Sequence, residues 1–220
     1  VASSDASPSS MTRNVITCSP EASPAAVNRT SPVLSAGSVF SSVSGSRLEL
    51  ARLLNGVAEI ARAEGDLPMA EKGYRKALRA YEDVGSKEAV VPRLNLGLVG
   101  IGRGDFVMAR LTLEDGLEFC ERAGMRAFVQ YIHTALLPCA AATADLAAFD
   151  RHFQQADSLL TESGVKDVDI ASTAERAGEI LSNIDPDRAR LAFELSMVQW
   201  RSLDRAVDVT RVERAIARLP

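Results

Sequence analysis

The sequence predicts an all-α solenoid, in which antiparallel helix hairpins stack in about four repeats and a C-terminal helix caps the array. Three observations predict it. Residues 51–84, ARLLNGVAEIARAEGDLPMAEKGYRKALRAYEDV, carry two apolar stripes at helical spacing, Leu54, Val57, Ala58 and Ala61, then Ala70, Tyr74, Ala77, Leu78 and Tyr81. Gly65-Asp66 separates them, a helix stop followed by a helix cap. The same grammar returns three times, and with Gly65, Gly104, Ala144 and Ile184 as equivalent turn positions the steps are 39, 40 and 40 residues. A fixed period in this range marks stacked repeats. Finally, small residues recur in each first helix (Ala58, Gly97, Leu137, Ala177) and early in each second helix (Ala70, Ala109, Phe149, Ala189). Bulky Tyr74, Leu113, Phe153 and Phe193 follow, then Ala77, Gly116, Ala156 and Ser196, so that bulk on one helix enters a gap on its neighbour. Leu137 and Phe149 depart from this rule, which predicts a wider crossing in the third pair.

In chain order, residues 1–46 hold 14 Ser, 4 Pro and four charged residues with no sustained period, a composition expected to stay disordered. Their Ser-Pro dipeptides and Asn28-Arg29-Thr30 arise freely in such a segment. Ser46 is the expected cap of a first helix ending near Glu64, and residues 47–220 form the helical domain. The second helix spans about 67–84 and stops at Gly85-Ser86. Pro92 fits the first turn of the third helix, where a missing N–H costs little. Residues 106–123, 125–143, 146–163, 168–182 and 186–203 follow as helices, the third pair's first one bent at Pro138. Asp204 opens the last, whose Ala206, Val209, Val212 and Ile216 face the array while the other side is charged.

Composition excludes several functions. With 46% hydrophobic and 25% charged residues the chain is ordinary for a soluble domain, and a net charge of −4 with pI near 5.3 argues against general attraction to nucleic acid or anionic membrane. There is no apolar run of about 18 residues and no signal-peptide pattern, so the cytoplasm is expected. Cys18, Cys120 and Cys139 are odd in number and unmatched in spacing, which suits a reducing compartment. The first residue is Val, so the expectation is a piece of a longer reading frame or a start at Met11.

No motif carries chemistry. LGLVGIGRGD, residues 96–105, has four glycines but neither phosphate-loop spacing nor a preceding strand, and reads as helix packing. Arg103-Gly104-Asp105 coincides with the turn at Gly65-Asp66. His133, Cys139 and His152 lack the local pairs of a metal site, and no Ser or Cys has a partner histidine at a motif position. Catalytic, cofactor and metal residues are therefore not expected.

The small-large-small pattern over residues 47–203 resembles the tetratricopeptide repeat, with longer units like those found beside large bacterial signalling ATPases and protein kinases. Arg176 stands where that pattern is normally apolar. The resemblance implies a right-handed superhelix whose first helices line a concave groove for a peptide or helix of a partner protein. It implies a lining of Arg52, Asn55, Glu59 and Arg62, then Val91, Leu94, Asn95, Leu98 and Ile101, then Tyr131, Thr134, Pro138 and Ala141. Asn55, Glu59, Leu94 and Leu98 occupy the places where chaperone-binding members carry a carboxylate clamp, so that specialised activity is not implied. The expected role is a non-catalytic protein-binding scaffold. Two other readings stay open, an accessory sensor or recruitment region behind an upstream kinase or ATPase domain in a longer parent chain, and a regulatory domain with a closed pocket for a small molecule.

Overall fold

The computed structural model describes residues Ala36–Pro220, with side chains from Gly45 onward. The Ser-Pro sites, Cys18 and the expected disorder of residues 1–35 lie outside the described residues. Helices α1 (Ala36–Ala63) and α2 (Leu67–Asp83) form the first hairpin, and a single 3-10 turn, Lys87–Ala89, leads to α3 (Val90–Arg103) and α4 (Phe106–Ala123). The third pair is α5 (Arg126–Ala142) with α6 (Leu146–Ser163), and the fourth is α7 (Val168–Leu181) with α8 (Pro186–Ser202). Helix α9 (Ala206–Ile216) packs on α8. The fold is an all-α helical repeat, with no strand among the described residues.

Aspartate caps set the starts of the second helices. Asp66, Asp105, Asp145 and Asp185 accept from the backbone N–H of Met69, Met108, Ala148 and Arg188 at 3.0, 3.3, 3.0 and 3.0 Å. Each bond satisfies a donor that the helix leaves open, worth about 1 kcal/mol. In the first three hairpins the residue before the cap is left-handed, Gly65 (φ 83), Gly104 (φ 78) and Ala144 (φ 53). This conformation lets the Asp N–H reach back to Ala61, Gly100 and Ala140 carbonyls at 2.9, 2.9 and 3.0 Å. Ile184 holds the equivalent position in the fourth hairpin without that conformation, which a β-branched side chain resists, and the Asp185 N–H bonds to Leu181 instead.

Three sequence expectations change. Helix α1 begins at Ala36, so Ser46 lies inside it and is not its cap, and residues 36–46 belong to the helix rather than to a tail. No proline separates Pro32 from Pro68, so nothing stops the helix from extending upstream. Asp204 does not cap α9: it is itself left-handed (φ 55), taking the place held by Gly85, Gly124 and Gly164 between the earlier pairs, and Arg205 is the N-cap residue of a helix that starts at Ala206. Val57 is 53% exposed, while Ala51, Leu54, Ala58 and Ala61 make the face of α1 turned to the core.

The packing rule holds at the close crossings. A Cβ at Gly97 would lie 2.5 Å from Leu113 Cδ2, and one at Gly178 would lie 2.7 Å from the Phe193 ring, so each bulky side chain sits on bare backbone. In the third pair Leu137 fills that gap and is fully buried, Phe149 is buried beside it, and Phe153 is left half-buried. Helix α5 continues through Pro138, with Thr134 Oγ1 donating to the Gln130 carbonyl at 2.9 Å. The step to the fourth pair is made by α5 packing directly on α7. The linker there, residues 164–167, is pinned by buried Gln199 of α8, which accepts from the Asp167 N–H at 3.1 Å and donates to the Val165 carbonyl at 3.5 Å. Among the described residues no helix is long and apolar enough to cross a membrane.

Candidate partner-binding face

The odd-numbered helices present polar side chains to one another and thereby define an inner face. On α1, Asn55 Nδ2 donates to Glu59 Oε1 at 3.3 Å, and Asn95 Nδ2 of α3 reaches the same oxygen at 3.5 Å. Arg62, at the end of α1, makes two parallel bonds of 2.8 and 2.9 Å to Asp169 in the first turn of α7. Burial opposes the Arg62 charge, but the hydrogen bonds and charge of Asp169 outweigh it, and the guanidinium is held above its ordinary pKa. Tyr131 of α5 lies beside Asp167 and Asp169; its phenol is raised first by burial and then by those carboxylates. Asp167 is itself raised by burial and by Asp169. Beneath this group the buried Tyr74 hydroxyl is pushed up to about 12 by desolvation, against the pull of Arg62.

These contacts place each expected groove residue. Arg52 is held outside the group by Glu88, which accepts from Nε at 3.0 Å and from Nη2 at 2.6 Å and is lowered by that pairing. Asn55, Glu59, Arg62, Asn95 and Tyr131 belong to the inner face. Val91, Leu94 and Leu98 are half-buried against the core built by Val90, Leu113, Ile132 and Leu136, and Ile101 is buried within it. They join the second repeat to the third. Thr134, Pro138 and Ala141 are buried inside the array. From α1 to α7 the inner face is therefore occupied by its own side chains. Asn55 Oδ1 and Arg62 Nε on this face, and Tyr74 Oη beneath it, are buried without a partner among the described residues.

Helix α9 continues the face and opens it. Buried Glu175 of α7 accepts from Trp200 Nε1 at 3.0 Å and from Arg211 Nε and Nη2 at 2.6 and 2.8 Å, which turns one side of α9 toward α7. Along that side Val207, Thr210, Arg211, Arg214 and Arg218 line an open depression of about 440 Å³. Arg211 also pairs with Asp208, whereas Arg214 and Arg218 make no ion pair among the described residues. Asp167, Asp169, Glu175 and these arginines escape a reading based on repeat positions. The spacing of Arg211, Arg214 and Arg218 by three and four residues is the signal that would reveal the stripe.

The two histidines, distant in sequence and without motif spacing, meet: His133 Nδ1 and His152 Nδ1 are 3.0 Å apart. Desolvation and then His152 lower His133 to about 4, and desolvation and Arg151 lower His152, so the pair is neutral. His133 borders a second depression, of about 260 Å³, with Cys120, Met125, Gln155 and Leu159. Burial pushes the Cys120 thiol up to about 11 and the Cys139 thiol to about 12, which leaves both unreactive.

No family model matches the chain, and no curated protein matches it. Among solved structures, BtubC (BKLC) from P. vanneervenii superposes with a TM-score of 0.52 at 18% identity, over 84% of this chain and 85% of that one. At that identity the likeness is one of fold: over most of its length this helical-repeat chain follows the path of BtubC.

Proposed function

We propose that the chain is a non-catalytic scaffold of the tetratricopeptide type that captures an acidic segment of a protein partner at the α9 end of its inner face. The observation that carries this reading is the open depression in which Arg214 and Arg218, which pair with no acceptor among the described residues, stand beside Arg211, Thr210 and the exposed Val207. Guanidinium groups on a rigid helix favour paired recognition of carboxylates, and Val207 supplies an apolar anchor. Many polar groups along the rest of the inner face pair with one another, and Leu94 and Leu98 are half-buried against the core, which favours α9 as the binding surface. Buried, unreactive Cys120 and Cys139 suit the reducing cytoplasm.

The test is fluorescence anisotropy with a labelled Asp/Glu-rich peptide of about ten residues carrying one or two leucines. Binding should weaken as salt rises, and Arg214→Glu with Arg218→Glu should weaken it at least about tenfold while leaving the helical signal unchanged. Arg211 is kept because it holds Glu175. Equal affinity of the double variant would overturn the reading, as would displacement of the peptide by a single-stranded oligonucleotide that binds more tightly.

A further inference from the structure

A buried imidazole opens onto the depression between α4, α5 and α6. His133 is 6% exposed, and its Nδ1 meets His152 Nδ1 at 3.0 Å. The ring centroids are 5.2 Å apart, so the two nitrogens lie between the rings and face each other. The far edge of the His133 ring, which carries Nε2, is the edge left to border the depression. Nε2 makes no hydrogen bond among the described residues and is not sealed from solvent. Around it the walls are apolar: Met125, Val129 and Leu159 are half-buried and Cys120 is fully buried. Glu121 and Arg126 also border the space but are exposed, and Arg126 is engaged by Glu162 at 3.1 Å. The enclosed part is thus apolar, uncharged and supplied with one inward polar atom, the pattern of a small-ligand site.

We propose that this depression binds a phenol, with the ring against Met125, Val129 and Leu159 and the hydroxyl on His133 Nε2. Volume permits it. The space is about 260 Å³, and a cavity of about 150 Å³ already holds a benzene ring. A thioether favours an aromatic neighbour, which suits Met125. The hydroxyl follows from the proton that the two neutral imidazoles share. When His133 donates it, Nε2 is a bare acceptor; when His152 donates it, Nε2 carries a hydrogen. A hydroxyl serves both states by rotating in place, whereas an ammonium can only donate and a carboxylate can only accept. Phenols come as free small molecules and as tyrosine side chains of proteins, and the two share this chemistry. Because the depression is open on one side, a single phenol should bind at roughly millimolar strength. The site takes no residue from α9 and does not depend on peptide capture there.

Titration of the full chain, carrying methyl-labelled methionine, with p-cresol tests this by NMR. The Met125 methyl and His133 ring signals should shift together and saturate, with a Kd of roughly millimolar. Toluene, the same molecule without its hydroxyl, is the more apolar of the two, so a depression that only collects apolar surface prefers toluene. With His133 taking the hydroxyl, p-cresol should bind at least about threefold more tightly than toluene. Equal or tighter binding of toluene, or no shift at Met125 and His133 with p-cresol at about 5 mM, would overturn the proposal. Leu159→Trp fills the depression from a half-buried position and leaves the histidine pair in place, so it should abolish the shifts while the helical signal stays. Undiminished binding by this variant would place the phenol elsewhere and equally overturn the proposal. N-acetyltyrosinamide in the same titration identifies the source: binding as tight as that of p-cresol supports a tyrosine of a partner protein, and its exclusion supports a free phenol.

Discussion

Arg62 and Asp169 stand 107 positions apart and meet in a two-point guanidinium–carboxylate pair, which joins the first helix of the first hairpin to the first helix of the fourth. The bonds Asn55–Glu59, Asn95–Glu59 and Glu175–Arg211 on the same face, by contrast, link one helix turn to the next or one odd helix to its neighbour. The Arg62–Asp169 pair closes a stack of repeats on itself, so that the first and last hairpins share a fate.

Removing it should therefore cost stability and cooperativity together. The two side chains are 28 and 31% exposed, which places the pair between a surface bridge and a buried one. Arg62→Ala and Asp169→Asn should each destabilise by about 1–2 kcal/mol, with a coupling of about 1 kcal/mol in the double-mutant cycle measured by urea unfolding. A lower m-value in either variant would report separate unfolding of the ends. Additive effects would show that the pair carries no coupling.

Acid should weaken the fold through His133. Its folded pKa, about 4, lies below the ordinary 6.5, so the buried neutral ring contributes stability that is complete above pH 6.5. That contribution is lost as the pH falls toward 4, up to about 3 kcal/mol, because the unfolded chain takes up the proton first. Melting temperature measured from pH 7 to 4.5 should fall for the parent and fall less for His133→Gln. The lowered carboxylates Glu88, Asp145, Asp150 and Asp185 begin to lose their contribution only near their ordinary values, at the acid end of this window, and do so equally in both proteins, so parallel curves would rule out the histidine.

Glycine positions separate packing from backbone effects. At Gly178 an added methyl meets the Phe193 ring, so Gly178→Ala should destabilise by about 1–3 kcal/mol despite the better helix propensity of alanine. At Gly56, inside α1, nothing stands within 4 Å, and Gly56→Ala should stabilise by about 0.5–1 kcal/mol. Ala144, held left-handed, should gain a similar amount on Ala144→Gly. Thermal denaturation checks all three, and a stable Gly178→Ala protein would show that Phe193 moves aside.

The hairpins are legible in the sequence because their signals are local. Gly65-Asp66 and Gly104-Asp105 stop one helix and cap the next within two residues, and the Tyr74 and Leu113 bulk sits a fixed distance from the small residue it covers. The start of α1 is not legible in the same way, since a serine inside a helix and a serine capping one look alike without knowledge of what precedes them. Val57 falls in the expected stripe yet stays exposed because the apolar arc of α1 is wider than the part that packs, and periodicity alone does not say which part meets the core. The inner face depends on how far the stack curves, and curvature is a sum of small angles at each crossing. No spacing rule links Arg62 to Asp169. The repeat pattern puts Leu94 and Leu98 near a groove, but their contacts with Ile132 and Leu136 arise from the third repeat, whose bulky Leu137 and Phe149 already depart from the pattern.

The four aspartate caps have a consequence for the route by which the molecule is made. Each is complete within three residues, and each hairpin closes across a turn of a few residues, so the loops that must close early are short and entropically cheap. Hairpins can thus form one after another as the polypeptide leaves the ribosome, every new one templated on the last. Arg62 waits longest: its carboxylate is not synthesised until more than a hundred further residues have followed, and until then the nascent array remains an open spring rather than a latched one.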